Sequence, residues 1–180
     1  MAYLIEKCRH GDRTAQLTLY RHYSQRLYAT CLRIIGNPSE AEEAMQDAFL
    51  KIFTHLEQYR EEVSFEAWMR RIALHTAVDY VRRMTPDLET FSDNCLELAV
   101  DEADDEADEE QVAYSVARVK DACKRLPPGY RVILSLYLFE GYDMEEIASI
   151  LKIQPSSVRS QYLRGKRKLL ELLETLKEHG

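Results

Sequence analysis

The chain has 180 residues, 46% of them hydrophobic, and a formal net charge of −7, enough to build one compact domain or two small ones. No run approaches the roughly 18 consecutive apolar residues of a membrane span, and the N-terminal MAYLIEKCRHGDR lacks the apolar segment of a secretory signal, so a cytoplasmic protein is expected. Cys8, Cys31, Cys95 and Cys123 are widely separated and the histidines at 10, 22, 55, 75 and 179 form no i, i+4 pair, so no disulfide framework, metal site or cofactor is expected.

Gly and Pro are few, and apolar residues recur at steps of three and four almost everywhere, which predicts an all-α protein. The first helix is predicted over residues 12–35, with Leu17, Tyr20, Tyr23, Leu27, Cys31 and Ile34 as its inward stripe. Gly36, Asn37 and Pro38 stop it, and Ser39 with Glu42 three residues on reads as the capping box of the next helix. There Ala41, Ala44, Met45, Ala48, Phe49, Ile52, Phe53 and Leu56 form a broad apolar stripe rimmed by Glu42, Glu43, Gln46 and Asp47. After a polar loop, Ser64 is placed to cap a third helix over 65–83. In it Trp68, Ile72, Thr76 and Tyr80 are expected to face the preceding helices, with Arg70, Arg71, Arg82 and Arg83 exposed. Trp68 reads two ways, as a core aromatic or as a platform on which an unpaired base stacks beside phosphate-binding arginines.

Periodicity fails beyond residue 84, and the charge balance explains why. Residues 1–83 carry a net +1, residues 84–117 a net −12 with no basic residue, and residues 118–180 a net +4. A segment that acidic cannot bury enough apolar surface to order itself, so 85–110 is expected to be a flexible linker between two small helical domains, 1–84 and 111–180. Helical spacing returns through Val112, Val116, Val119, Cys123 and Leu126, breaks at Pro127 and Pro128, and resumes through Val132, Ile133, Leu136 and Tyr137.

The stretch 140–169 then reads as a helix-turn-helix. Asp143 and Glu146 form a capping box, and Met144, Ile147, Ala148 and Leu151 share one helical face. Residues 152–154 leave room only for a tight turn, and Pro155 suits the first position of a second helix, where its missing N–H costs nothing. Val158, Tyr162, Gly165, Leu169, Leu172 and Leu176 should pack inward in that helix. Its other face carries Ser156, Ser157, Arg159, Ser160, Arg164 and Arg167, flanked by Lys166 and Lys168, with no acid before Glu171. Small hydroxyls permit close approach in a major groove, Arg159 can reach a base edge or a phosphate, and the basic run beyond can neutralise backbone charge; an ordinary solvated face is the alternative.

Taken in series, these segments resemble the extracytoplasmic-function group of bacterial sigma factors over nearly the whole chain. GNPSEAEEAMQDAFLKIF at 36–53 is similar to the family's polymerase-docking region, FEAWMRRIALHTAVDYVRR at 65–83 to its promoter-melting helix, and the stretch 126–169 to its minus 35 reader. The resemblance implies a non-enzymatic promoter-specificity subunit whose partners are core RNA polymerase, promoter DNA and an anti-sigma factor. It puts Glu43, Gln46, Asp47, Leu50 and Phe53 at docking positions. Trp68, Arg70, Arg71, His75 and Arg82 fall at minus 10 and melting positions, and the loop 56–64 where the family captures a flipped base. Ser156, Ser157, Arg159, Ser160, Arg164, Lys166 and Arg167 fall at minus 35 positions.

Three residues depart from the family pattern: His75 stands for the usual Asn, Lys152 for the turn glycine, and Gln154 for the Ser or Thr cap. The 27 residues 84–110 can span ~90 Å extended and about 30 Å as a coil, against roughly 70 Å between two elements two helical turns apart. The acidic segment could also thread the polymerase cleft as a nucleic-acid mimic. The alternative function is a stand-alone helix-turn-helix regulator that binds an operator without polymerase.

Overall fold

The computed structural model describes residues 1–85 and 116–178, and every regular element among them is helical. The acidic segment expected as a linker lies, from residue 86 onward, outside the described residues, as does Val112. The chain divides into two compact units, Met1–Met84 and Thr85–Gly180.

The first unit contains α1 (Ala2–Arg9), α2 (Arg13–Ile35), α3 (Pro38–Thr54), a single 3₁₀ turn (Leu56–Gln58) and α4 (Phe65–Met84). Helix α1 is absent from the periodicity reading, because only Ile5 and Cys8 of its eight residues are buried and their partners lie on α2 and the distant 3₁₀ turn. Asp12 caps α2 by accepting from Thr14 N and Ala15 N, and Gly36 ends it in the left-handed conformation, at φ 79°. The expected Ser39 capping box is not formed: Asn37 is the cap, its side chain accepting from Ser39 N and Glu40 N. Pro38 at the first helical position moves the cap back to the residue before it.

Helices α2, α3 and α4 pack pairwise around a core that includes Leu19, Leu27, Ile34, Ile52, Met69 and Leu74. Leu17, expected inside, is 47% exposed, and Leu19 takes its place on the line Ala15, Leu19, Tyr23, Leu27, Cys31. Alanines 41, 44, 48, 73 and 77 are fully buried, and such side chains let helix axes come close. The Cys31 Sγ lies 3.8 Å from the Ala73 carbonyl, and burial pushes that thiol up to about 12, as expected of an inert core cysteine. Truncating Met69 or Leu74 to Ala would cost about 2–5 kcal/mol.

The second unit contains α5 (Val116–Lys124), α6 (Pro128–Leu138), α7 (Met144–Leu151) and α8 (Pro155–Glu178). Cys123 and Leu126 are buried as expected, Val116 is exposed, and Ala122 is buried beside Cys123. Arg131 is itself buried and its Nη1 donates to the Leu126 and Lys124 carbonyls at 3.1 and 3.3 Å, so one charged nitrogen serves two carbonyls at the α5–α6 corner. Helix α8 is the long support on which α5, α6 and α7 all pack. A Cβ added to Gly165 would stand 3.1 Å from Tyr130 Cβ and 3.2 Å from Leu134 Cδ1, so glycine there sets how closely α6 and α8 approach.

Candidate nucleic-acid interface

In the second unit, α7 opens on a complete capping box. Asp143 Oδ1 accepts from Glu145 N and Glu146 N at 2.9 and 2.8 Å, and Asp143 N donates to Glu146 Oε2 at 2.9 Å. Lys152 ends α7 at φ 57°, ψ 42°, the left-handed conformation that glycine adopts most readily. Ile153 N then donates to the Ala148 carbonyl at 3.1 Å, and Ser157 N and Val158 N donate to the Gln154 carbonyl at 3.0 and 3.1 Å. The turn thus keeps its three residues without the family's glycine or hydroxyl cap.

Val158, Gly165 and Leu169 are buried as expected, whereas Tyr162 and Leu172 are half-buried and the Leu176 side chain lies outside the described residues. Two further inward residues were missed by the step-of-four line: Leu173 and Gln161. The Gln161 amide nitrogen has no hydrogen-bond partner among the described residues. On the outer face Ser156, Arg159, Lys166 and Arg167 are exposed, and Ser157, Ser160 and Arg164 are half-exposed. All seven therefore reach solvent along α8. The basic run ends where Lys168 Nζ pairs with Glu171 at 2.9 Å, which holds that carboxyl below its usual range.

In the first unit, Ser64 Oγ accepts from Ala67 N at 3.2 Å and starts α4 as expected. The buried line of α4 is Phe65, Met69, Ala73, Ala77 with Leu74, Val78 and Val81. Of the stripe predicted to face inward only Thr76 is buried; Trp68, Ile72 and Tyr80 lie half-exposed on the flank, rotated from the core by the 3.6-residue period. The displaced flank has a consequence: Trp68, Ile72, Arg71 and His75 line a cleft of about 430 Å³ together with Lys51 and His55 from the end of α3.

Three predicted contacts, Trp68, Arg71 and His75, are thus brought together. Arg70 is exposed on α4 outside the cleft lining, and Arg82, expected exposed, is half-buried three turns further along the helix. Tyr59, Phe65 and Trp68 form one aromatic cluster, with ring centroids 5.0 to 5.7 Å apart. One side of the tryptophan is therefore packed while the rest borders the cleft.

Lys51 and His55 were not singled out by their sequence. Their four-residue steps beyond Asp47 put them on one side of α3, and the packing of α4 against that side brings them to Trp68 and His75. Lys51 Nζ donates to Thr76 Oγ1 at 3.1 Å, Thr76 Oγ1 donates to the Ile72 carbonyl at 2.8 Å, and His55 Nδ1 lies 2.8 Å from the Lys51 carbonyl. Burial, then Arg71, lowers the His75 pKa from 6.5, with Lys51 adding to the lowering and Asp79 opposing it. His75 is accordingly neutral at pH 7 and offers one donor and one acceptor. The amide usual in the family likewise combines donor and acceptor, but with two N–H donors and a different shape.

On the outer side of α3, Glu43, Gln46 and Leu50 are exposed, Leu50 at 66%. Asp47 and Phe53 are half-buried. Tyr80 OH donates to Asp47 Oδ2 at 3.1 Å, and the Arg83 guanidinium sits 4.5 Å from the Tyr80 ring centroid. Phe53 packs on Phe49 with centroids 5.9 Å apart. Leu50 is thus an exposed leucine on the same helix as the polar Glu43, Gln46 and Asp47. Among the described residues no group of three or more His, Cys, Asp or Glu side chains is placed to hold a metal, and no helix is long and apolar enough to cross a membrane.

Two family models match the chain in series, sigma-70 region 2 over residues 19–85 and sigma-70 region 4 over residues 117–169. The chain is 28% identical over 180 residues to the RNA polymerase sigma-H factor of Pseudomonas aeruginosa, covering 96% of this chain and 93% of that one. It is 26% identical over 179 residues to the extracytoplasmic-function sigma factor SigW of Bacillus subtilis, covering 96% of each. Among solved structures, the sigma factor RpoE of Bartonella quintana, crystallised with the anti-sigma factor NepR, aligns at a TM-score of 0.52 and 19% identity over 87% of this chain and 95% of that one. CnrH, solved with the cytosolic domain of CnrY, aligns at 0.50 and 21% identity over 96% of each; both share the fold. With both regions matched in order and full-length relatives of the same kind, this chain belongs to the sigma-70 family, in its extracytoplasmic-function group.

Proposed function

We propose that the chain directs core RNA polymerase to specific promoters in the cytoplasm, supplying recognition and help in melting but no chemistry of its own. The observation that carries the residue assignment is the pairing, in one chain, of a basic outer face on α8 with a cleft on α4 where aromatic and cationic side chains converge. In this reading α8 enters the major groove at the minus 35 element. Ser156, Ser157 and Ser160 allow close approach, Arg159 reads a base edge, and Arg164, Lys166 and Arg167 bind phosphates.

The first unit acts at the minus 10 element. Unpairing a base costs a few kcal/mol, and stacking on Trp68 with cation contacts from Arg71 and Lys51 offsets about 1–3 kcal/mol of it. Neutral His75 contributes a hydrogen bond, while Arg70 and Arg82 bind the strand's backbone. Glu43, Gln46, Asp47, Leu50 and Phe53 dock on the polymerase. Two similarly folded proteins were solved with partners of their own, RpoE with the anti-sigma factor NepR and CnrH with the cytosolic domain of CnrY, and an anti-sigma factor is the regulator proposed for this chain too. Promoter-fragment binding by the chain alone and with core polymerase tests the assignment: a specific complex that needs core supports it, and an equally tight, specific complex without core favours the stand-alone regulator.

A further inference from the structure

The short helix α1 makes one long-range polar contact that the promoter-reading assignment does not use. Arg9 carries its guanidinium to the 3₁₀ turn, which is distant in sequence and packs against α1. Its Nε donates to the Leu56 carbonyl at 3.4 Å, its Nη2 to the Tyr59 carbonyl at 3.1 Å, and its Nη1 to Glu6 Oε2 at 3.1 Å. The two carbonyls bracket the 3₁₀ turn at the start of the 56–64 loop, and Leu56 and Tyr59 are both buried. From Tyr59 the contact continues outward. The Tyr59 hydroxyl donates to the Val63 carbonyl at 2.9 Å, closing the loop on itself, and its ring lies 5.3 Å from that of Trp68.

We propose that Arg9 is a positioning residue for minus 10 recognition: it fixes the entry of the 56–64 loop and, through Tyr59, the Trp68 wall of the cleft. The inference rests on reading that loop and cleft as the minus 10 contact. The planar fork reaches the two carbonyls and the carboxylate from three separate nitrogens, whereas a lysine ammonium carries its three donors on one nitrogen at the end of a flexible stem. Residues 57, 58 and 60–64 of the loop are exposed, so its anchorage to the rest of the unit runs through Leu56 and Tyr59, the two residues whose carbonyls Arg9 binds. Arg9 acts on recognition only through backbone carbonyls and touches no DNA.

The test uses the full chain with core polymerase and two promoter sets, one varied at the minus 10 element and one at the minus 35 element. Arg9→Ala should reduce minus 10 discrimination from about tenfold or more per mismatch towards unity, leaving minus 35 discrimination unchanged. The sole tryptophan supplies a second readout, because loosening Tyr59 should shift Trp68 emission. Arg9→Lys, which keeps the charge and the helix, should show the same selective defect and serves if the alanine variant does not fold. Unchanged minus 10 discrimination in the folded variant, or an equal loss at both elements that follows the thermal melting temperature, overturns the proposal. If the wild-type chain gives no core-dependent initiation, the promoter reading itself fails, and Trp68 emission alone then decides whether Arg9 holds the loop.

Discussion

Tyr80 donates its hydroxyl to Asp47 Oδ2 at 3.1 Å, so a carboxylate on the outer side of α3 is oriented by a phenol of α4. The same tyrosine carries Arg83 over its ring. The surfaces proposed for docking and for melting are therefore joined by this hydrogen bond. Gln46→Ala combined with Asp47→Ala should weaken core association roughly tenfold without unfolding the chain. Tyr80→Phe should cost about 1 kcal/mol of stability and produce a smaller loss of core affinity, because Asp47 remains but is no longer held. Quantitative pull-downs beside thermal melts check both; unchanged core affinity in the double variant would remove these residues from the interface.

Along α8 the basic side chains should separate by role. Arg159→Ala is expected to alter promoter preference at the minus 35 element. Arg167→Ala is expected to weaken binding evenly across sequences and lower the slope of log affinity against log salt by about 1. Equal losses for Arg159→Ala on matched and mismatched promoters would take that residue out of base reading.

Lys152 occupies φ 57° with a full side chain. Glycine there removes the steric cost of the left-handed conformation, roughly 1–2 kcal/mol, while adding freedom to the unfolded chain. Lys152→Gly should therefore raise stability by up to about 1 kcal/mol and move the urea midpoint up without changing the slope. A lower midpoint would show that the lysine side chain makes a stabilising contact in the turn.

Gly165 makes the opposite case. A methyl group would gain about 1 kcal/mol of helix propensity, yet it must stand 3.1 Å from Tyr130 Cβ, which is anchored to backbone and cannot swing aside. Gly165→Val, larger and β-branched, should cost about 1–3 kcal/mol and loosen the second unit. Chemical denaturation of the full chain reads this, and an unchanged midpoint would show that α6 and α8 can separate freely.

His75 gives the first unit an acid-sensitive point. Its lowered pKa means that, below 6.5, the unfolded chain binds the proton more readily than the folded one. The stability associated with neutral His75 is complete above that value and is lost as pH falls through the folded value. His75→Asn should remove this part of the acid loss while keeping initiation at neutral pH; an identical pH profile in the variant would assign the loss to other groups.

Much of this architecture is legible in the sequence where a local signal suffices. The box formed by Asp143 and Glu146, the Ser64 cap, and the Gly36 stop mark boundaries that the structure keeps within a residue or so. Elements that depend on distant partners are not legible. Helix α1 buries only two residues and is held by carbonyls some fifty positions away, which no periodicity reports. The choices between Leu17 and Leu19, and between Trp68 and Met69 as the core residue of α4, turn on a rotation of two and of one helical position, and tertiary packing decides them. The cleft has the same origin: Lys51 and His55 join Trp68 and His75 only because α3 ends beside α4.

Transcription by purified core polymerase on a promoter library, with and without this chain, tests the central claim most directly. Initiation should appear only with the chain present, and only at promoters sharing both a minus 10 and a minus 35 element. Initiation that is independent of the chain, or no core-dependent initiation at any promoter while the chain alone binds an operator tightly, would contradict it.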